Sequence, residues 1–204
     1  MIFPGSGSVK GLSQVLHNVH YATERALSIT KQIMEYSKIG HANPGEESVN
    51  LHELFFSVLH EQKLDFQHEG IEASLDVPDN LNVKAEHFHI YSVVQNLVVN
   101  ARDAVVEQGE DAKREIVVRG GGTASSWWLE VADSGVGISE EAKAKVFAAF
   151  YSTKPETGTG LGLGMVEKLA SLYNGKISLD STVGEGTTFR IDFDNSGSAL
   201  PAVE

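Results

Sequence analysis

The sequence is short of cysteine, proline and basic residues, and each shortage excludes a class of protein. With no cysteine, it has no disulfides, thiolate zinc sites or cysteine nucleophiles, and a cytoplasmic location is expected. Only 5 prolines, with 41% hydrophobic residues, indicate a folded chain. Lys and Arg number 16 against 28 Asp and Glu, and this net charge of −12 disfavours nucleic-acid binding. No run approaches the ~20 apolar residues that span a bilayer, so we expect no membrane segment in this chain.

The N-terminal part of the chain is predicted to be one long helix. Residues 1–10 contain Gly-Ser-Gly-Ser and are expected to be a flexible N-terminus or a cloning scar. Within residues 11–39, apolar and small residues recur at alternating steps of three and four, the spacing of a seam that packs on other helices. These residues are Leu12, Val15, Val19, Ala22, Ala26, Ile29, Ile33 and Tyr36. The seam needs a partner, or else the helix folds back on its own domain.

The rest of the chain is predicted to be one α+β domain. A polar linker with Pro and Gly, 40–48, leads into a body at 49–193, and 194–204 are expected to be a disordered tail. Hydrophobic periodicity predicts helices at 51–62, 86–107, 140–147 and 165–173. Strands are predicted at 71–77, 81–84, 116–119, 127–133, 176–181 and 187–192. This order of elements predicts a two-layer sandwich with one mixed β-sheet.

The predicted helix at 86–107 carries an unusual polar face. Asn96 and Asn100 are four residues apart and Asp103 is three further on, so the three side chains share one face. Asparagine is a poor residue for a helix interior, and two on one face suggest contact with a polar ligand. Two solvated asparagines are the alternative.

Three glycine-containing segments add to this pattern. DSGVG at 133–137 follows a predicted strand and places a carboxylate beside backbone that a ligand can approach, although an Asx turn has the same composition. GTGLGLG at 158–164 precedes a helix and offers free N–H groups to an anion, although a flexible loop can have the same glycine-rich composition. GEGT, which ends at Thr187, fits an ordinary hairpin turn.

In their order and spacing, these segments resemble one family. Asn100 and the segments at 133–137, 158–163 and 184–187 are similar to the N, G1, G2 and G3 boxes of the ATP-binding domain shared by gyrase, heat-shock chaperones, histidine kinases and mismatch-repair ATPases. VFAAFYSTK at 146–154 resembles the F box of the histidine kinases. The resemblance covers the body and implies the Bergerat ATP-binding fold, an α+β sandwich with about three helices, which holds ATP and Mg²⁺ under a mobile lid.

The resemblance also implies roles for individual residues. Asp133 would accept a hydrogen bond from the adenine amino group, Thr187 would support that end, and Asn100 would coordinate Mg²⁺. Asn96 and Lys154 are the implied catalytic residues, with Lys154 as a cation near the terminal phosphate or, alternatively, a solvated lysine. The residues implied to bind the cofactor are Asn96, Asn100, Asp103, Asp133, Gly135, Gly137, Tyr151, Lys154, Thr159, Gly160, Leu161, Gly162, Leu163 and Thr187.

Position 96 separates the branches of this superfamily. Hydrolysing relatives and the anti-sigma serine kinases resemble this helix but carry Glu, a base, four residues before the metal-binding Asn. Because the amide of Asn96 cannot take a proton at neutral pH, the site suits transfer to an acceptor that brings its own base. The resemblance therefore implies a histidine kinase, with a histidine on a helical hairpin as acceptor and a response regulator as the downstream partner.

The long helix resembles the second helix of that dimerising hairpin. The first helix, with its H-E/D-x-R/K-x-P box, has no counterpart in the sequence, so we expect the chain not to phosphorylate itself. His52 begins this pattern without completing it, while His17 and His20 lie away from the apolar seam without the rest of the box. Pairing of two chains through residues 11–38 would cover the seam, so a homodimer is one expectation.

Two other functions remain open on the sequence. A nucleotide-sensing interaction module would bind ATP and a partner helix without transferring phosphate, although such a module has less need of the F box and the glycine-rich segment. An anti-sigma-type serine kinase is disfavoured by Asn96 and by the long helix.

Overall fold

The computed structural model describes residues 7–39, 47–109, 112–123, 126–153 and 158–194. The chain divides into two compact units, Met1–Gly40 and His41–Glu204. The first unit contains helix α1 (Gly7–Ile39), so the predicted long helix is confirmed. Most of its described large apolar side chains are exposed, namely Leu12, Val15, Leu16, Val19, Leu27, Ile33 and Met34. None of the helices in the described ranges combines the length and apolarity needed to cross a membrane.

The second unit contains seven described strands and five described helices. The strands are β1 (Glu47–Asn50), β2 (Glu72–Asp76), β3 (Asn82–Ala85), β4 (Glu115–Gly122), β5 (Ser126–Asp133), β6 (Lys176–Thr182) and β7 (Gly186–Asp194). The helices are α2 (Leu51–Glu61), α3 (Lys63–Glu69), α4 (His87–Glu107), α5 (Glu140–Lys143) and α6 (Gly162–Leu172). The main sheet has the order β2-β4-β5-β7-β6, with β2 parallel to β4 and the remaining pairs antiparallel. The predicted α+β fold with one mixed sheet is confirmed.

The core lies between this sheet and the helices. Along β5, buried residues alternate with half-exposed ones, so one face of the strand carries Trp127, Leu129 and Val131 into the core. The Trp127 ring stacks on Phe193 of β7, with the ring centroids 3.9 Å apart. On the opposite face, the guanidinium of Arg190 lies 4.0 Å from the centre of the Trp128 ring, a cation–π contact.

Some element boundaries differ from the sequence prediction. Strand β1, which pairs with β3, begins at Glu47, inside the segment predicted as linker, and the sequence does not predict it because four residues are too few to show alternation. The single helix predicted over 51–62 is followed by a separate short helix, α3. Helix α6 begins at Gly162 rather than at residue 165, because packing overrides the low helix propensity of glycine.

An ion pair ties α3 to α4. Arg102 donates from Nε and Nη2 to the two carboxylate oxygens of Glu69, both at 2.6 Å, and its Nη1 lies 3.1 Å from Asp65. These hydrogen bonds from Arg102 lower the pKa of Glu69, against the raising effect of its partial burial. Helix α4 is therefore fixed on this side by a charged pair.

The ion pair makes the stability of the body sensitive to acid. Because the pKa of Glu69 is lower in the folded chain than in the unfolded one, its contribution is complete above the unfolded value and is lost as the pH falls through the folded value. Between about pH 7 and about pH 3, wild type should lose more unfolding free energy than Glu69→Gln, by about 0.2 to 1 kcal/mol. Urea unfolding at the two pH values measures the difference, and equal losses would contradict the assignment.

Candidate nucleotide-binding site

Helix α4 presents the polar face that the sequence predicts. The helix begins after Glu86, whose carboxylate accepts hydrogen bonds from the backbone N–H groups of Phe88 and His89 and so caps the first turn. Its apolar face is buried against the sheet and the neighbouring helices. Asn96 and Asn100 are half-buried, and Asn96 faces the start of α6. Asp103, also predicted on this face, is exposed.

The amide of Asn96 is held in one orientation. Its Nδ2 donates to the carbonyl oxygen of Ser92 at 2.7 Å and lies 3.7 Å from Sδ of Met165 on α6. Its Oδ1 faces Gly162, where a Cβ atom would lie 2.8 Å away. Helix α6 can therefore start this close to α4 only because residue 162 has no side chain.

The end of β5 meets the hairpin between β6 and β7. Asp133 is paired directly opposite Thr187 in the β5–β7 register, so residues that are far apart in the sequence become neighbours on one face of the sheet. The Oδ1 atom of Asp133 accepts a hydrogen bond from the backbone N–H of Gly135 at 2.8 Å. Asp133 is half-buried and Thr187 is buried. The structure thus brings together the two residues predicted for this end of the site.

The loop after Asp133 is packed too closely for side chains at its glycines. A Cβ atom on Gly135 would lie 2.5 Å from the Ala104 carbonyl carbon of α4, and one on Gly137 would collide with the Thr182 carbonyl oxygen. The backbone N–H of Val136 donates to the Ala104 oxygen at 3.2 Å. Both predicted glycines therefore hold this loop against α4 and the hairpin.

Ser181 is a structural part of this end that the sequence prediction omits. Its hydroxyl is buried, lies 2.9 Å from the Thr187 hydroxyl and accepts a hydrogen bond from the backbone N–H of Ile138 at 2.8 Å. The sequence does indicate that Ser181 is buried, because the period-2 alternation of β6 places it on the same face as Ile177 and Leu179. A serine in line with two apolar residues indicates a buried hydroxyl with partners.

The glycine-rich segment leads into a helix start that no side chain caps. Leu161 occupies the N-cap position of α6 without a side-chain hydrogen bond, and its own N–H lies 3.4 Å from the Thr159 hydroxyl. Gly162 and Leu163 open the first turn of the helix, half-buried. Since the first N–H groups of a helix have no partner within the helix, this turn is suited to an anion.

Gly160 and the predicted F box meet in front of this helix. The backbone N–H of Phe150 donates to the Gly160 oxygen at 2.8 Å, and Gly160 has a φ angle of +69°. A Cβ atom on Gly160 would lie 2.5 Å from the Phe150 carbonyl carbon and 2.7 Å from the Tyr151 nitrogen. The backbone of Tyr151, which is predicted to bind the cofactor, thus lies beside Gly160. Lys154, predicted as a mobile cation, lies outside the described residues.

The residues around Asn100 fit a phosphate-bound metal better than a metal held by protein alone. The Nδ2 atom of Asn100 is buried without a hydrogen-bond partner among the described residues, which is costly unless a ligand satisfies or reorients the amide. The described ranges contain no group of three or more His, Asp or Glu side chains able to hold a metal ion. A magnesium ion here would take most of its oxygen ligands from phosphate and water, as this ion commonly does.

The arrangement is that of a known ATPase family. The family of histidine kinase-, DNA gyrase B-, and HSP90-like ATPases matches residues 85–197, from the end of β3 to beyond β7. The chain belongs to this family. The prediction of an ATP-binding catalytic domain of the histidine-kinase type is confirmed.

Similar proteins of known identity are sensor kinases. The sensor kinase CckA of Brucella abortus is 32% identical over 186 residues, which are 85% of this chain and 19% of that protein. The sensor histidine kinase ZraS of Escherichia coli is 27% identical over 92% of this chain and 38% of its own length. The chain therefore spans well under half of either relative.

Two solved structures support the fold. The catalytic domain of the histidine kinase ThkA is 29% identical with a TM-score of 0.63, over 73% of this chain and 97% of that one. Full-length ShkA, solved in complex with AMPPNP, has a TM-score of 0.74 over 89% of this chain and 38% of its own, at 20% identity. The second likeness extends the similarity in fold beyond the catalytic domain.

Proposed function

We propose that the body of this chain binds ATP with Mg²⁺ and transfers the γ-phosphate to a histidine on a helical hairpin. The observation that carries the proposal is that two predicted segments pack on one helix: the uncapped start of α6 contacts α4 at Asn96, and the loop after β5 contacts α4 at Ala104. Helix α4, the end of β5 and the start of α6 each contribute a different kind of group, namely amides, a carboxylate and backbone N–H donors. Those three kinds match the metal, the base and the phosphates of a nucleotide.

Asp133 binds the adenine end in this proposal. A carboxylate accepts hydrogen bonds and does not donate them, so it suits the exocyclic amino group of adenine and rejects a carbonyl at the same position. Its orientation is set by the 2.8 Å bond from Gly135 and by the strand register opposite Thr187. Thr187 supports that end through its own contact with Ser181.

The phosphates lie at the start of α6. Backbone N–H groups bind an anion without positive side chains, which explains how a chain of net charge −12 can hold one as charged as ATP. The segment from Thr159 to Leu163 surrounds the phosphates in this proposal, with Gly135, Gly137 and Tyr151 nearby. Lys154 supplies a cation at the terminal phosphate.

Asn100 holds the magnesium ion, with Asp103 close by. When bound, the ion neutralises charge on the phosphate oxygens and so stabilises ADP as the leaving group. The amide of Asn100 is suited to this role because its oxygen is a neutral ligand of the kind that Mg²⁺ accepts. Its Nδ2, which is buried without a partner among the described residues, would donate to the bound phosphates.

Asn96 gives the site its choice of acceptor. Its amide is committed to Ser92 and to α6, and it cannot take a proton, so a hydroxyl acceptor would find no base at this position. A neutral imidazole presents a lone pair on one ring nitrogen and needs no base before it attacks. In this proposal Asn96 is a catalytic residue that supplies no base. The site therefore favours histidine over serine as the acceptor.

The partners follow from the same proposal. The helix at 11–39 is the second helix of a dimerising hairpin, linked by residues 40–46 to the catalytic body. Its exposed apolar stripe is covered by other helices of that hairpin, including those of a second copy. A response regulator receives the phosphate, and the reaction takes place in the cytoplasm.

Phosphate transfer in trans tests the proposal. The chain is incubated with ATP labelled at the γ-phosphate, Mg²⁺ and a separate two-helix hairpin that carries the acceptor histidine. We expect acid-labile label on the hairpin, none on a hairpin with His→Ala, and at least about a hundredfold less with Asn100→Ala, because the metal ligand is lost. ATP binding without transfer would contradict the kinase and favour the nucleotide-sensing module.

A further inference from the structure

A second hydrogen-bonded cluster joins α4 to α6 at the end away from the proposed phosphate site. Tyr173, directly after α6, is buried, and its hydroxyl accepts a hydrogen bond from the backbone N–H of Glu86 at 3.0 Å. The same hydroxyl lies 2.8 Å from Nδ1 of His89, whose ring meets the tyrosine ring edge to face. Burial lowers the pKa of His89, against the raising effect of Glu86, and a neutral ring can accept the tyrosine proton.

Helices α4 and α6 therefore contact each other at both ends of α6. At one end, Asn96 contacts the start of α6 at Gly162 and Met165. At the other end, the Tyr173 hydroxyl contacts the first turn of α4. The two contacts are about 15 Å apart along the helices, since an α-helix rises ~1.5 Å per residue.

Among the contacts described between α4 and α6, the short hydrogen bonds are those of the Tyr173 hydroxyl, whereas Asn96 lies 3.7 Å from the sulfur of Met165. The side chains of α6 that face the core between the two ends are apolar, among them Val166, Leu169 and Ala170, and apolar packing tolerates a small slide along the helix axis better than hydrogen bonds do. At its start, α6 has no side-chain cap and its first residue is a glycine. The position of the helix along its axis is thus set mainly from its C-terminal end.

We propose that Tyr173 is a positioning residue for nucleotide binding. Its hydroxyl, held by Glu86 and His89, fixes the position of α6 along its own axis. It thereby places the first N–H groups of α6 where they can bind the phosphates. The inference rests on the proposed function, because it assigns Tyr173 to the binding of ATP. It concerns phosphate binding alone, since the Asp133 end is built from β5 and the β6–β7 hairpin.

The test compares ATP with adenosine on Tyr173→Phe, which keeps the ring and removes the hydroxyl. Calorimetric titration should show ATP affinity about fivefold lower and adenosine affinity unchanged within about twofold. A fivefold loss corresponds to the free energy of about one hydrogen bond. Tyr91→Phe is the matched control. Its hydroxyl donates to Glu61 on α2 at 2.5 Å, so its loss also frees α4 from a neighbouring helix but leaves α6 in place.

A second pair of variants separates positioning from stability. His89→Ala removes a partner of the Tyr173 hydroxyl and should lower ATP affinity selectively, and His89→Asn, which keeps a polar atom near the place of Nδ1, should restore it. Equal loss of ATP and adenosine affinity, no loss of either, or the same ATP selectivity in Tyr91→Phe would overturn the inference. Wild type that binds adenosine but not ATP would instead contradict the proposed function.

Discussion

Asp133→Asn is expected to lower the affinity for adenosine and for ATP by about ten- to a hundredfold, with the fold intact. The backbone N–H of Gly135 occupies Oδ1 of Asp133 at 2.8 Å, and an asparagine in this place would turn its oxygen toward that donor. Its amide nitrogen would then face the adenine amino group, so that two donors meet. The loss should appear with both ligands, because both carry the base.

Asp76→Asn is the matched control for this variant. Asp76 is exposed at the end of β2, so its replacement removes the same charge without touching β5 or the hairpin. Titration calorimetry of the three proteins, with thermal unfolding as the check of the fold, gives the comparison. Unchanged adenosine affinity in Asp133→Asn would refute the assignment of the adenine end.

Gly160→Ala is expected to lower ATP affinity by at least about tenfold while adenosine affinity changes little. The new Cβ would lie 2.5 Å from the Phe150 carbonyl carbon, and the φ angle of +69° is unfavourable for alanine. The loop must therefore move, and with it the N–H groups at the start of α6. ATP, ADP and adenosine titrated in parallel measure how far the loss depends on the phosphates.

Gly70→Ala separates backbone strain from displacement of the loop. Gly70 has nearly the same φ angle, +66°, at the end of α3, but a Cβ atom there would meet nothing within 4 Å. Its replacement should cost about 1 kcal/mol of stability and leave ATP affinity unchanged. A Gly160→Ala protein that binds ATP as well as Gly70→Ala does would refute the proposed phosphate loop.

Much of the fold could be predicted because its elements have strong local signals. The periodicity of α1 and α4 and the alternation in β5 and β7 identify those elements within a few residues. Strand β1 and helix α3 escaped prediction because four and seven residues carry too little periodicity. Helix α6 begins among glycines, and the contact with Asn96 that allows this is invisible in the local sequence.

The candidate site was predictable as a set of motifs but not as a geometry. Asp133 and Thr187 are separated by more than fifty residues, and only the strand register places them opposite each other. Ser181 and Tyr173 were missed because their partners are distant backbone groups, at Ile138 and Glu86. Such contacts depend on how hairpins and helices pack, which no short motif encodes.

A crystal structure of this chain with Mg²⁺ and a non-hydrolysable ATP analogue tests the central claim most directly. The account predicts the adenine amino group on Asp133, the phosphates at Thr159 to Leu163 against the first turn of α6, and the metal ion on Asn100. A nucleotide bound elsewhere, or one whose base and phosphates lie in reversed positions, would contradict it.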